Sequence, residues 1–161
     1  MNKVRILIAD EEETFRKEMC SMLSGFEDIE ITGEASKGEE VIIRVDELKP
    51  DVVLMSQEMS LSDGTDVTSY LSKEKPDAKV LLLTHYEDRE RITTGLKAGA
   101  RGLIARTASP SELISAIVTV HNGNHFLTPS IARAFIEAYN QYGYDRKTNA
   151  NRRKAARKKH T

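Results

Sequence analysis

Four polar side chains that could take part in chemistry each stand directly after a short apolar run. A serine hydroxyl is a weak nucleophile that needs an adjacent base, whereas an arginine can hold an anion through two parallel hydrogen bonds. No histidine is obviously placed to activate a serine, although His85 adjoins Thr84, one of the four residues. Since no base and oxyanion site can be assembled around the serine, we predict that the chain is not an enzyme. The four residues are Asp10, Ser56, Thr84 and Arg106.

Five apolar runs alternate with amphipathic segments, and this alternation predicts the elements that position the four side chains. Three of the runs are nearly unbroken Val, Ile, Leu and Met, which favours strands covered on both faces of a parallel sheet. Between them, apolar residues recur at helical spacing. We therefore predict a doubly wound α/β fold, (βα)5, whose five-stranded parallel sheet opens its pocket at the carboxyl ends of the strands. The runs are Val4 to Ala9, Ile29 to Ala35, Val52 to Met55, Val80 to Leu83 and Gly102 to Ala105.

Capping signals mark the last helices of this pattern. Ser109 is a candidate N-cap with Pro110 in the first turn and Glu112 three residues on, and Gly123 suits the end of that helix. A further amphipathic helix is expected from Ile131 to residue 142. The predicted organisation is a domain over residues 1–125, a C-terminal helix or linker over 126–144, and a flexible basic tail over 145–161.

Charge is distributed unevenly along the chain. Residues 145–161 contain eight Lys or Arg and one acid, which leaves 16 basic and 24 acidic side chains in residues 1–144 of a chain with net charge −1. Clustered cations bind phosphates and displace counterions, so nucleic-acid contact, docking on an acidic partner and mere solubility remain three open interpretations of the tail. Its candidate contact residues are Arg152, Arg153, Lys154, Arg157, Lys158 and Lys159.

Length and composition bound the remaining possibilities. The 161 residues, 39% of them hydrophobic, can bury one core of ordinary size. The apolar stretches fall far short of the roughly 20 residues that cross a bilayer, and the start lacks a secretory signal. We expect a cytoplasmic protein without membrane contact. Its single cysteine, Cys20, is expected to be a buried helix residue.

The strand-end set, together with the run from Pro50 to Gly64, closely resembles the receiver domain of bacterial two-component response regulators. The resemblance covers about residues 3–123. It implies the flavodoxin-like fold and a place in phosphorelay signal transduction. The stretch from Gly99 to Leu113, followed by Leu127-Thr128-Pro129, is most similar to the subgroup that carries a LuxR-type helix-turn-helix domain. We expect no such domain within these 161 residues, and natural absence and truncation both stay open.

The resemblance assigns a role to each strand-end residue. Asp10 and Glu11 match the acid pair that holds Mg²⁺ in the family, and Thr84 matches the hydroxyl that contacts the phosphoryl group. Ser56 stands where the family has its phosphoryl-accepting aspartate. Arg106 stands where the family has a lysine.

Two further positions bear on the same pocket. Leu103 replaces the aromatic residue that usually reports the switch, and Glu58 is a candidate substitute for the missing carboxylate. Loss of one carboxylate removes a hard oxygen ligand, so we predict weak Mg²⁺ binding at best and no required cofactor. Two alternatives stay open for Arg106: a permanent ion pair with Asp10 or Glu11, or a solvated side chain.

The leading function is a phosphorylation-independent pseudo-receiver that binds protein partners, forms a homodimer and takes part in transcription regulation. The first alternative is a nucleic-acid-binding regulator that uses the basic tail. The second is a receiver that can still be phosphorylated.

Overall fold

The computed structural model describes residues 2–84 and 89–159, without the side chains of residues 89, 138, 142–149 and 155–159. Strands and helices alternate along these residues, as the apolar runs predict. The elements are β1 (Val4–Ala9), α1 (Glu13–Leu23), β2 (Ile29–Ala35), α2 (Gly38–Leu48), β3 (Val52–Ser56), α3 (Val67–Glu74), β4 (Lys79–Thr84), α4 (Arg89–Lys97), β5 (Gly102–Ala105), α5 (Pro110–His121), β6 (Phe126–Leu127) and α6 (Pro129–Lys159).

The strands form one parallel sheet in the order β2-β1-β3-β4-β5-β6. The doubly wound parallel fold is confirmed, but the sheet has six strands and not five. Strand β6 pairs with β5 through Gly102 opposite Phe126 and Leu103 opposite Leu127. A Cβ atom on Gly102 would lie 2.7 Å from the carbonyl oxygen of Phe126, so only glycine allows this approach. A two-residue strand is too short to produce a periodic pattern, which is why the sequence did not indicate it.

Helices cover both faces of the sheet. On one face, α2, α3, α4 and the start of α6 contribute to one apolar cluster, with Val41, Leu71, Ile92 and Ile131 fully buried. On the other face, α1 and α5 form the second cluster. Cys20 lies beside this second cluster and is half-buried, less than the sequence suggested. The three layers leave the carboxyl ends of the strands as one open edge.

The predicted caps of α5 are confirmed. Ser109 is the N-cap and its hydroxyl accepts a hydrogen bond from the backbone N–H of Glu112, with Pro110 in the first turn. After the C-cap residue Asn122, Gly123 takes φ of +91°, a conformation that glycine adopts without steric cost.

Helix α6 is longer than predicted from the sequence. The prediction placed the end of the helix before residue 145 and a separate tail after it, whereas the helix continues to Lys159. Lys, Arg and Ala are strong helix formers, and no proline follows Pro129. Helix propensity therefore outweighs the repulsion between the cations. Within residues 2–84 and 89–159, no helix is both long and apolar enough to cross a membrane.

Candidate functional site

The strand-end pocket is formed by Asp10, Ser56, Thr84 and Arg106 at the carboxyl edge of the sheet. Asp10 follows β1 and donates its backbone N–H to the carbonyl of Ala35, 3.0 Å away. Arg106 follows β5 and donates its backbone N–H to the carbonyl of Thr84, also at 3.0 Å. Asp10, Ser56 and Thr84 are polar residues buried to 2, 6 and 2% exposure. The fold thus places all four residues at one edge of the sheet, and the described contacts join two of their side chains, Arg106 and Asp10.

A buried ion pair between Arg106 and Asp10 dominates the pocket. The Nη1 atom of Arg106 donates to Oδ2 of Asp10, and the two side chains are only 8 and 3% exposed. The second guanidinium nitrogen, Nη2, donates to Oε2 of Glu12 at 2.9 Å. The guanidinium carbon also lies 3.5 Å from the centroid of the Phe15 ring, a cation–π contact. Of the two alternatives for Arg106, the structure has the ion pair, with Glu12 and not Glu11 as the second acid.

The second oxygen of Asp10 is also engaged. Its Oδ1 accepts the backbone N–H of Glu12 at 2.9 Å, and its backbone carbonyl accepts from Nη1 of Arg16 at 2.8 Å. Glu11 is exposed and forms no ion pair within the described residues. Within residues 2–84 and 89–159, no three His, Cys, Asp or Glu side chains lie close enough together to hold a metal ion. Because Asp10 is already paired with a cation and no ligand group forms among the described residues, this arrangement does not fit the Mg²⁺ ion that the family resemblance implies.

Ser56 lies at the end of β3 without a base against it. Its Oγ accepts the backbone N–H of Glu58 at 3.4 Å, and no carboxylate or ring nitrogen in the described part of the chain is hydrogen-bonded to it. The carboxylate of Glu58 lies against Arg91 of α4, with Nη1 to Oε1 at 3.0 Å. Glu58 is thus engaged on α4 and does not replace a carboxylate in the pocket. His85, the only histidine adjoining a strand-end residue, falls outside the described residues.

Leu103 has no exposed surface and belongs to the apolar cluster beneath α4 and α6. It therefore lies in the core and not in the pocket. Gln57, next to Ser56, donates its Nε2–H to the backbone carbonyl of Arg91 at 2.6 Å. The segment after β3 is consequently fastened to α4 by both Gln57 and Glu58.

A second charged cluster beside the pocket was missed by the sequence analysis. Glu34 of β2 accepts from Nε of Arg16 and from Nζ of Lys17, each at 2.9 Å. The hydrogen bond from Lys17 is the largest influence and, with Arg16, holds the pKa of Glu34 below its usual range despite partial burial. No local pattern signals this cluster, because Arg16 and Lys17 lie 18 and 17 residues from Glu34 along the chain.

The tail residues lie elsewhere. Arg152, Arg153 and Lys154 are exposed on α6 and form no ion pair within the described residues. For Arg157, Lys158 and Lys159 the structure describes a helical backbone but not the side chains.

Comparison with known proteins places this site in a family. The sequence model described as "Response regulator receiver domain" matches residues 6–118. The chain is 35% identical over 130 residues to the response regulator GacA of Pseudomonas viridiflava, covering 81% of this chain and 61% of that protein. It is 30% identical over 136 residues to the transcriptional regulatory protein LnrK of Bacillus subtilis, covering 84 and 62%. The chain therefore spans less than two thirds of the length of these relatives.

Solved structures agree on the fold. A LuxR-family two-component response regulator from an Aurantimonas species superposes with a TM-score of 0.77 at 22% identity, covering 84% of this chain and 97% of that one. The isolated receiver domain of RcsB from Salmonella enterica superposes with a TM-score of 0.75 at 19% identity, covering 83 and 99%. Together with the match over residues 6–118, these findings mean that the chain belongs to the response regulator receiver domain family.

Proposed function

We propose that this receiver works as a signalling and docking module whose state does not depend on phosphorylation. Members of the family are response regulators of two-component signal transduction, and they act as signalling proteins. The observation that carries the proposal is the buried ion pair between Arg106 and Asp10. This pair fills the place where, by the family resemblance, a phosphoryl group and a metal ion would be held.

The first support is the chemistry of residue 56. In the family an aspartate carboxylate accepts the phosphoryl group, and a carboxylate is ionised at neutral pH without help from a base. Ser56 presents a neutral hydroxyl whose hydrogen-bond partner is the backbone N–H of Glu58, which is a donor and cannot remove a proton. Ser56 therefore has no means of activation among the described residues.

The second support is that Arg106 is already paired within the protein. Its two terminal nitrogens hold Asp10 and Glu12, and its face lies on the Phe15 ring. A phosphoryl group that took the place of Asp10 on Arg106 would leave a buried carboxylate without its partner, and loss of one partner from a buried pair costs about 3–5 kcal/mol. The protein itself thus supplies the partners of Arg106, and we infer a single persistent state.

The output of such a module is contact with other macromolecules. The names of related proteins describe a transcriptional regulatory protein and response regulators, and one structural neighbour is titled as a complex of RcsB with DNA. We propose that this chain likewise serves transcription regulation through protein partners, including a second copy of itself. Its assembly would be the same before and after exposure to phosphodonors.

Incubation with acetyl phosphate and Mg²⁺, followed by a phosphate-affinity gel, tests the central proposal. We expect no mobility shift for the natural chain. The double variant Ser56→Asp/Arg106→Lys restores the two residue types expected from the family and should shift, which shows that the conditions support phosphorylation. A shift of the natural chain that reverses within hours would mean that it is a working phosphorylated receiver.

Sedimentation velocity with and without the phosphodonor tests the second part. We expect identical sedimentation profiles for the natural chain. A change of oligomeric state on addition of the phosphodonor would contradict a phosphorylation-independent mode.

A further inference from the structure

Helix α6 continues well beyond its first two turns, whose apolar side chains pack on the domain. Its 31 residues correspond to about 46 Å at the usual rise per residue. Among the described side chains, the apolar ones that pack on the sheet and on α4 belong to the first two turns, where Ile131 is fully buried and Ala134 and Phe135 are partly buried. Just beyond them, Glu137 and Gln141 also have interaction partners. From residue 136 to Lys159, a further 24 residues or about 36 Å follow.

The exposed side chains change in character along that extension. Ile136 and Tyr139 are 56 and 69% exposed just beyond the packed turns. Arg152, Arg153 and Lys154 follow near the distal end and are all exposed. Residues 145–161 as a whole contain eight Lys or Arg against one acid. The extension therefore presents an excess of positive charge away from an acidic domain.

The arrangement of the cations around the helix distinguishes between kinds of partner. Consecutive helical residues are turned by about 100°, so Arg152, Arg153 and Lys154 span about 200° of the circumference. A flat acidic protein surface contacts one stripe of a helix. A groove bordered by phosphates on both sides can contact cations on opposite sides of a helix, and the three described cations are not confined to one stripe.

The low intrinsic stability and the positive charge of the extension favour a polyanion as its partner. A helix without tertiary packing is marginal in water, and neighbouring like charges destabilise it further. Residues 1–144 carry 24 acidic and 16 basic side chains, so the domain itself repels nucleic acid. Arg152 to Lys154 lie about 26–29 Å along the helix from Phe135, which is roughly three times the screening length of about 8–10 Å. At that distance the acidic domain does not offset their attraction for phosphates.

We propose that the distal part of α6, residues 145–159, binds the phosphate backbone of double-stranded nucleic acid without reading its sequence. Residues 145–161 contain no aromatic side chain that could stack on bases. This function is separate from the proposed insensitivity to phosphorylation, because it uses none of the pocket residues. Either proposal can fail while the other holds.

Fluorescence anisotropy with two unrelated 30-base-pair DNA duplexes and an RNA duplex of the same length tests the proposal on the full 161-residue chain. We expect similar affinities for the two DNA sequences. If about seven phosphates are neutralised, affinity should fall by about 10³-fold or more between 50 and 200 mM salt. The variant Arg152→Gln/Arg153→Gln/Lys154→Gln should bind at least tenfold more weakly at 50 mM salt, with a salt slope smaller by about 2.7.

A matched control removes the same charge from the domain. Lys3, Lys37 and Lys73 are exposed and form no ion pair within the described residues, so Lys3→Gln/Lys37→Gln/Lys73→Gln changes net charge equally. This control should bind like the natural chain. Thermal unfolding followed by circular dichroism should be alike for both triple variants, which excludes misfolding as a cause of lost binding.

Three results would overturn the proposal. One is the absence of binding to any duplex at 50 mM salt. Another is an equal loss of affinity in both triple variants, which would mean that net charge alone causes the effect. The third is self-association that the α6 variant abolishes in the absence of nucleic acid, because the occupant would then be the acidic surface of a second copy.

Discussion

The strand-end pocket and the distal part of α6 are both rich in charge, yet they handle it in opposite ways. In the pocket, Arg106 is 8% exposed and each of its terminal nitrogens has a carboxylate partner. On α6, Arg152 to Lys154 are exposed and form no ion pair within the described residues. A buried charge must be paired within the protein, whereas an exposed cation keeps its capacity for an outside partner. Among the described residues, Arg106 is already paired whereas Arg152 to Lys154 are not, which is why we propose α6 and not the pocket as the binding surface.

The largest effect is expected from Arg106→Ala. Removing the guanidinium leaves the buried carboxylate of Asp10 without its partner, which should lower the free energy of unfolding by about 3–5 kcal/mol in urea titration. Arg106→Lys keeps one charge and should cost less. If the alanine variant lost under about 1 kcal/mol, the pair would behave like an exposed one, and the contrast with α6 would disappear.

A slightly smaller loss is expected from Ile131→Ala, which tests where α6 stops being part of the domain. Ile131 is fully buried, and such truncations cost about 2–5 kcal/mol. The matched control is Ile136→Ala, one turn later at 56% exposure, which should change stability by less than about 0.5 kcal/mol. Similar losses in the two variants would mean that the packed part of α6 extends further than its first two turns.

A moderate, pH-dependent loss of stability is expected from Glu34→Gln. The Glu34 side chain is 29% exposed, which lies between the buried Arg106 and the exposed cations of α6. Its folded-state pKa is lowered, chiefly by Lys17, so its contribution to stability is present above the ordinary carboxyl pKa. That contribution is lost as pH falls through the lowered folded value. We expect a loss of roughly 1 kcal/mol at pH 7 and a shallower decrease of Tm on acidification than in the natural chain.

Glu30→Gln is the control for that measurement. Glu30 is on the same strand, but its nearest cation is Arg5 at 3.9 Å and its side chain is 54% exposed. Its replacement should leave both Tm and the acid dependence nearly unchanged. Equal pH profiles for the two variants would contradict a specific role for Glu34.

The smallest effect is expected from Arg152→Gln/Arg153→Gln/Lys154→Gln on stability. Exposed substitutions away from packed features stay within about 0.5 kcal/mol, so urea titration should give nearly the natural value. The same variant is expected to lose nucleic-acid binding. A destabilisation above about 1 kcal/mol would show that these cations interact with the domain, which would break the contrast between the two regions.

Much of the fold was predictable because it follows from local patterns. The five apolar runs identified strands β1 to β5, and the Ser109 and Gly123 signals bounded α5. The four strand-end residues could also be located, since parallel strands end at one edge of a sheet. The prediction ended helix α6 too early. It gave the absence of apolar residues after residue 145 more weight than the helix propensity of Lys, Arg and Ala.

The amino-acid sequence by itself determined the three-layer α/β architecture, the hydroxyl at residue 56 and the uneven charge, because these depend on residue type and short-range spacing. Only the tertiary structure decided how Arg106 is used. Its partners Asp10 and Glu12 lie 96 and 94 residues away along the chain, and Glu11 between them forms no ion pair within the described residues. Which of several adjacent carboxylates reaches Arg106 depends on how α1 meets the sheet, and no local pattern contains that angle.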